Sequence, residues 1–138
     1  MAETPLERTD PRVVRSRRAV LDAALGELAD RGYGAFAIDG VAARAGVARS
    51  TIYRLWPDRT ALIADAIDEA VSRRGEQPIG VEGYEEGRWI LMDLGDVIVH
   101  VFQQEVRETY DLERLWSDAE RLDLRLEPEP DDVRTEVR

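Results

Sequence analysis

Six side chains between positions 49 and 59 have the types that recognise a polyanion. Arg49, Ser50, Thr51, Tyr53 and Arg54 crowd one short stretch, and Arg59 follows Pro57. Hydroxyls and guanidiniums are the donors that phosphate oxygens and the acceptor edges of a DNA groove take. On a helix with Ile52 turned inward these donors stand outward, and the first turn adds free backbone N–H groups. Other chemistries are excluded or poorly supplied. The chain has no cysteine, which removes disulfides, thiolate zinc sites and cysteine nucleophiles. Its single histidine, His100, rules out a His–His metal pair. There is no Gly-rich phosphate loop, nucleophile elbow or metal-ligand spacing. Glu82, Asp93 and Asp96 sit near turns, where carboxylates serve strand ends. His100 alternates with Ile98 and Phe102 on one strand face, which suits a satisfied, partly buried imidazole better than a general base. The expectation is a binding protein, not an enzyme, without cofactor or metal.

The donors need a scaffold, and the flanking sequence supplies one. Arg12–Arg31 repeats Leu21, Ala24, Leu25 and Leu28 at helical spacing and stops at Gly32. Ile38–Arg44 predicts a short second helix with Val41 and Ala42 inward, and Ala45-Gly46-Val47 a tight turn. Ala48–Leu55 predicts a third helix, ended by Pro57, with Trp56 and Leu55 in the core. Asp58 can cap a fourth helix to about Arg74, with Ile63, Ala66, Ile67 and Ala70 on one face and Gly75 after it.

Beyond Gly75 the period changes. Ile79–Glu82, Arg88–Asp93 and Val97–Phe102 are short runs rich in Val, Ile and Trp, separated by glycine-bearing turns, and they predict an antiparallel meander. Glu105–Thr109 and Leu112–Trp116 read as short helices, the second with Asp111 as candidate cap. Trp89 is expected in the core rather than at an interface. Met1–Asp10 reads as a loose arm and residues 125–138 as a disordered tail. The fold class is therefore α+β: an N-terminal three-helix helix-turn-helix bundle over 1–57, a connecting helix over 58–74, and a small antiparallel β-meander with short helices over 75–124.

At 138 residues the chain suits one compact domain or two very small ones. The net charge of −10 is unevenly spread: Met1–Gly75 carries 12 Arg against 11 acids, and the remainder 7 Arg against 18 acids. A locally basic part permits nucleic acid and an acidic part opposes it. No apolar run approaches the roughly 20 residues of a membrane span, and no secretory leader opens the chain. A cytoplasmic protein with no membrane partner is expected.

Two resemblances sharpen this reading. Arg12–Leu62 resembles the N-terminal DNA-binding domain of the TetR family of bacterial transcription regulators, on Arg31-Gly32-Tyr33, Val41–Val47 and Ser50–Arg59. The resemblance implies phosphate contacts from Thr51 and Tyr53, Arg49 and Ser50 near base edges, and a phosphate grip by Arg59 at the fourth helix; Arg54 is expected on the outward face from its spacing alone. Ala37 and Ala48 stand where that family usually has hydroxyl caps, each such loss costing ~1 kcal/mol. Ile63–Leu124 resembles the C-terminal half of the ribosomal silencing factor family, on Pro78–Gly83, Gly87–Phe102 and Tyr110–Trp116. That resemblance implies translational repression through a large-subunit ribosomal protein, with Trp89, Tyr110, Leu112, Leu115 and Trp116 as candidate contacts. The front helix and two strands of that family have no counterpart, because TetR-like sequence occupies their place. The join falls inside Asp58–Arg74, which fits both. The expected partners are double-stranded DNA, a large-subunit ribosomal protein and, for a dimeric regulator, a second copy. The readings left open are a DNA-binding regulator carrying a partial silencing-factor segment, a ribosome-associated repressor that blocks subunit joining, and a chimera with neither activity intact.

Overall fold

The structure is a computed structural model that describes residues 10–122. The arm and the tail read from the sequence lie, apart from Asp10, outside the described residues. Helix α1 (Pro11–Ala35) begins at Asp10, whose carboxylate accepts from the Arg12 N–H, with Pro11 in the first turn where no N–H is needed. Its regular helix breaks at Gly32, which adopts φ 75°, so the glycine stop read from the sequence is present. Helices α2 (Ile38–Ala45) and α3 (Arg49–Leu55) follow, joined through left-handed Gly46. The positions before them, Ala37 and Ala48, make no side-chain cap bond. Helix α4 (Arg59–Arg73) is capped by Asp58, which accepts from Ala61 N–H.

Three strands then form an antiparallel sheet in the order β1 (Gly80–Glu82), β2 (Trp89–Asp93), β3 (Ile98–Phe102). Ile90 pairs with Val101 and Met92 with Val99 across β2–β3, and Val81 with Met92 across β1–β2. Two short helices, α5 (Gln104–Tyr110) and α6 (Leu112–Leu115), complete the described chain. The α+β class and the meander expected from the sequence are both present. Asp111 is a correction: it precedes α6 but its side chain makes no cap bond, and its backbone is left-handed at φ 45° instead of the extended conformation a capping residue usually adopts.

One apolar core runs through all of this. Val20, Leu21 and Ala24 of α1, Val41 of α2, Ile52 of α3 and Leu62, Ile63 and Ala66 of α4 join Ile90, Met92 and Val101 of the sheet. Helix α4 is the shared spine, packing on α1 and also on β2 and β3. Polar bonds tie the same elements. The Thr60 hydroxyl lies between Asp58 Oδ1 at 2.6 Å and the Gly87 carbonyl. Gly87 has φ 69°, and a Cβ there would collide with the Asp58 carboxylate, so only glycine allows this approach. The Tyr33 hydroxyl donates to the Phe102 carbonyl, linking the end of α1 to the end of β3.

Candidate functional site: a donor helix and an aromatic sheet face

The first candidate surface rests on α2 and α3. Val41, Ala42 and Ile52 are buried beneath it, and this leaves Arg49, Ser50, Tyr53 and Arg54 exposed on α3, with Thr51 half-buried. Trp56, at the C-terminal end of α3, is buried as expected and donates through Nε1 to Asp65 at 2.7 Å. A second anchor lies behind the helices. Glu27 is only 1% exposed; Arg44 Nε stands 3.0 Å from one of its oxygens and Arg31 Nε 3.5 Å from the other, so α1 and α2 are pinned together. A Cβ on Gly40 would strike this carboxylate. The motif spacing did not single out Glu27; the signal available was an acid three residues after Ala24 and seven after Val20, on the side of α1 that is buried.

The donors on α3 are partly committed to one another. Arg49 Nε pairs with Asp39 Oδ1 at 2.9 Å, and its guanidinium lies 5.7 Å from the Tyr53 ring centroid. To reach a phosphate, Arg49 exchanges Asp39 for it. Arg59 is placed differently from the sequence expectation. Its Nη2 donates to the Tyr33 carbonyl at 2.8 Å, and the guanidinium lies over the rings of Tyr33 and Phe36 at 4.9 and 5.5 Å. Stacking on two aromatic faces and satisfying a helix-end carbonyl turn it inward, and its Nε is buried. Arg59 therefore fastens α4 to the end of α1.

The second candidate surface is the sheet face turned away from α4. Ile90, Met92 and Val101 point to the core, so alternation places Trp89, Leu91, His100 and Phe102 on the outer face. This corrects the expectation of a core Trp89: the side chain is half-buried in an aromatic cluster, because its strand parity is opposite to that of Ile90. Its ring lies 5.0 Å from Phe102 and 4.8 Å from Tyr110 of α5. Trp89 Nε1 donates to His100 Nδ1 at 3.1 Å, which requires a neutral imidazole, and burial lowers the His100 pKa from its ordinary value. Tyr110, Leu115 and Trp116 are 58, 70 and 66% exposed, while Leu112 is half-buried. Five residues expected to act together thus divide: Trp89 and Tyr110 touch, and Leu112, Leu115 and Trp116 continue along α6 and its C-terminal end.

Among the described residues, no group of His, Asp and Glu is placed to hold a metal ion, and no helix is long and apolar enough to cross a membrane. The two surfaces correspond to two families. A family model described as ribosomal silencing factor during starvation matches residues 58–138, and one for bacterial regulatory proteins of the tetR family matches residues 20–66. The matches overlap on Asp58 and the first half of α4. A ribosomal silencing factor of Bacillus subtilis is 48% identical over 62 residues, covering 45% of this chain and 52% of that protein. An HTH-type transcriptional repressor, LfrR of Mycolicibacterium smegmatis, is 34% identical over 101 residues, covering 65% of this chain and 51% of that protein. A crystallised protein from Chromobacterium violaceum shares 35% identity over 48% of this chain and 55% of its own, with a TM-score of 0.41. The chain spans about half the length of these relatives.

Proposed function

The chain belongs to the ribosomal silencing factor family and carries a TetR-type module ahead of that segment, and from this premise we propose that it binds double-stranded DNA through α2 and α3. The DNA-binding part is residues 1–57, joined by 58–74 to the silencing-factor part at 75–124. The observation that carries this reading is the donor row of α3: Arg49, Ser50, Tyr53 and Arg54 are exposed on a helix whose opposite side, Ile52, is wholly buried. Arg49 and Ser50 would approach base edges, and Thr51, Tyr53 and Arg54 would take phosphates. Arg59 would act indirectly, by holding α4 against α1.

One module reads one half-site, and motifs of this kind gain specificity from two copies about one helical turn apart. A single copy of this acidic chain would bind mostly through phosphates, with steep salt dependence. The test is a salt-titrated gel shift on a duplex of random sequence, with light scattering on the same fraction. Retardation at low salt that Arg49→Ala with Arg54→Ala removes, while the helical circular dichroism stays unchanged, supports the reading. A folded protein that never retards DNA overturns it.

A second reading is favoured by the aromatic sheet face with the exposed Tyr110, Leu115 and Trp116 beside it. Apolar and aromatic side chains at this exposure are the material of protein interface anchors. On this reading a large-subunit ribosomal protein docks there and the chain opposes subunit joining. Co-sedimentation with large ribosomal subunits, lost in Trp116→Ala, is the outcome expected. Absence of the wild-type chain from the subunit peak rejects it.

A further inference from the structure

The two edges of the sheet are defended unequally. Strand β1 has three residues, follows Pro78 and carries Glu82, all features that blunt an edge against pairing. Strand β3 has none of them. From Val97 to Phe102 there is no proline and no charged residue, and Val97 and Ile98 are 57 and 46% exposed. The order β1–β2–β3 leaves the far side of β3 without a neighbouring strand among the described residues.

The ladder decides which backbone groups face that side. The Leu94 N–H donates to the Val97 carbonyl and the Gln103 N–H to the Arg88 carbonyl, both at 2.9 Å. Bonded residues alternate along an antiparallel pair. In the observed register Val97, Val99 and Val101 therefore turn their backbone groups to β2, while Ile98, His100 and Phe102 turn theirs outward. The Phe102 carbonyl accepts from the Tyr33 hydroxyl, which closes the edge at that end. The N–H and C=O groups of Ile98 and His100 are left, and no other described element bonds them.

We propose that a second copy of this chain pairs with this edge, β3 against β3, antiparallel. A two-fold axis at Val99 sets Ile98 of each copy opposite His100 of the other. Each opposed pair exchanges two backbone bonds, so all the open groups of both strands are satisfied. Val97 then lies beside Val101 of the second copy, on the α4 side of the joined sheet, and loses its exposure to water. The charges agree with this direction. Exposed Asp96 precedes β3, and exposed Arg88 lies across from its end; neither makes an ion pair within its own chain among the described residues. Antiparallel pairing brings Asp96 of each copy toward Arg88 of the other, whereas parallel pairing would bring like charges together. One strand edge buries far less than the roughly 1,600 Å² of a standard interface, so the dimer is weak, with a Kd expected at about 10–100 μM. The inference rests on neither the DNA nor the ribosome reading, and its test uses neither partner.

The test follows the full chain by sedimentation equilibrium from about 5 μM to 1 mM, at about 0.15 M salt, where the screening length is about 8 Å. Amide hydrogen exchange by NMR is measured across the same range. A monomer–dimer equilibrium is expected, with the Ile98 and His100 amides gaining at least tenfold protection as concentration rises. The Val99 and Val101 amides, already bonded to β2, are expected to be protected throughout. Val97→Lys with Ile98→Lys puts charge on the edge and is expected to weaken pairing at least tenfold, with the thermal melt of the dilute monomer unchanged. Val81→Lys, on the β1 edge, is expected to leave pairing unchanged. A chain that stays monomeric to about 1 mM overturns the proposal, as does a dimer whose Ile98 and His100 amides exchange freely. Protection of those amides that is independent of concentration, as a strand from the same chain would give, also overturns it. So does wild-type pairing by the double-lysine variant or loss of pairing in Val81→Lys.

Discussion

The donor helix and the aromatic sheet face are built from opposite kinds of contact. On α3 every candidate residue lies within one short helix, so spacing alone places Arg49, Ser50, Tyr53 and Arg54 on the outward side. On the sheet face, Trp89, His100, Phe102 and Tyr110 come from two strands and a helix, and they meet only because β2 and β3 pair in one register. A one-residue slip in that pairing would turn the outer aromatics toward α4 and Ile90 toward water. The local site is therefore robust in position, whereas the sheet site depends on long-range pairing. Both nevertheless hang on one spine, since α4 packs on α1 and on β2 and β3. The comparison teaches that two surfaces resembling different families are coupled here through a common core.

The largest effect tests that shared core. Ile90 is fully buried in the sheet yet belongs to the cluster that contains Val20 and Ile52. Ile90→Ala is expected to cost about 3 kcal/mol, and to lower the helical circular dichroism and the aromatic near-ultraviolet signals in one transition. Helices that still melt at the wild-type temperature after the sheet is lost would separate the two regions.

A smaller effect is expected on the helical side alone. Glu27→Ala removes the carboxylate that Arg44 and Arg31 share between α1 and α2. Arg44 keeps Asp30 at 2.6 Å and is partly exposed, so the expected loss is about 2 kcal/mol by urea denaturation, with the Trp89 environment in the native state unchanged. A shifted Trp89 fluorescence before unfolding would show that α2 reaches the sheet face.

The smallest effect belongs to the sheet side. Burial depresses the His100 pKa from its ordinary 6.5, so the unfolded chain takes the proton first as pH falls. The stability contributed by the neutral imidazole is present above about pH 6.5 and is lost as pH falls through the lower folded value. His100→Leu should flatten this fraction of the pH dependence between pH 7 and 5, and abolish the accompanying change in Trp89 fluorescence. An unchanged pH profile would remove the Trp89–His100 bond from the account of that face.

Much of this architecture was legible in the residues. Gly32 and Gly46 marked turns that only a left-handed backbone makes easily, Asp58 marked the start of α4, and Ile52 marked the buried side of α3. Each of these signals acts over a few residues, where the helical period and φ preferences decide the outcome. Trp89 was misjudged because its burial depends on which face of the sheet meets α4, and composition carries no information about that. Arg59 was misjudged for a related reason: its guanidinium could reach solvent or two aromatic rings, and the approach of Tyr33 and Phe36 decided between them.

By itself the sequence determined the elements, the turn that joins α2 to α3, the donor row of α3 and the two family likenesses, because all of these are local patterns of period and side-chain type. Only the tertiary structure decided that one core crosses both segments, that Asp65 gathers Arg17, Trp56 and Tyr84 around one oxygen, and that a cavity opens beside them. These features join residues far apart in the chain, and their positions follow from how α1, α4 and the β1–β2 turn pack rather than from the period of any one element.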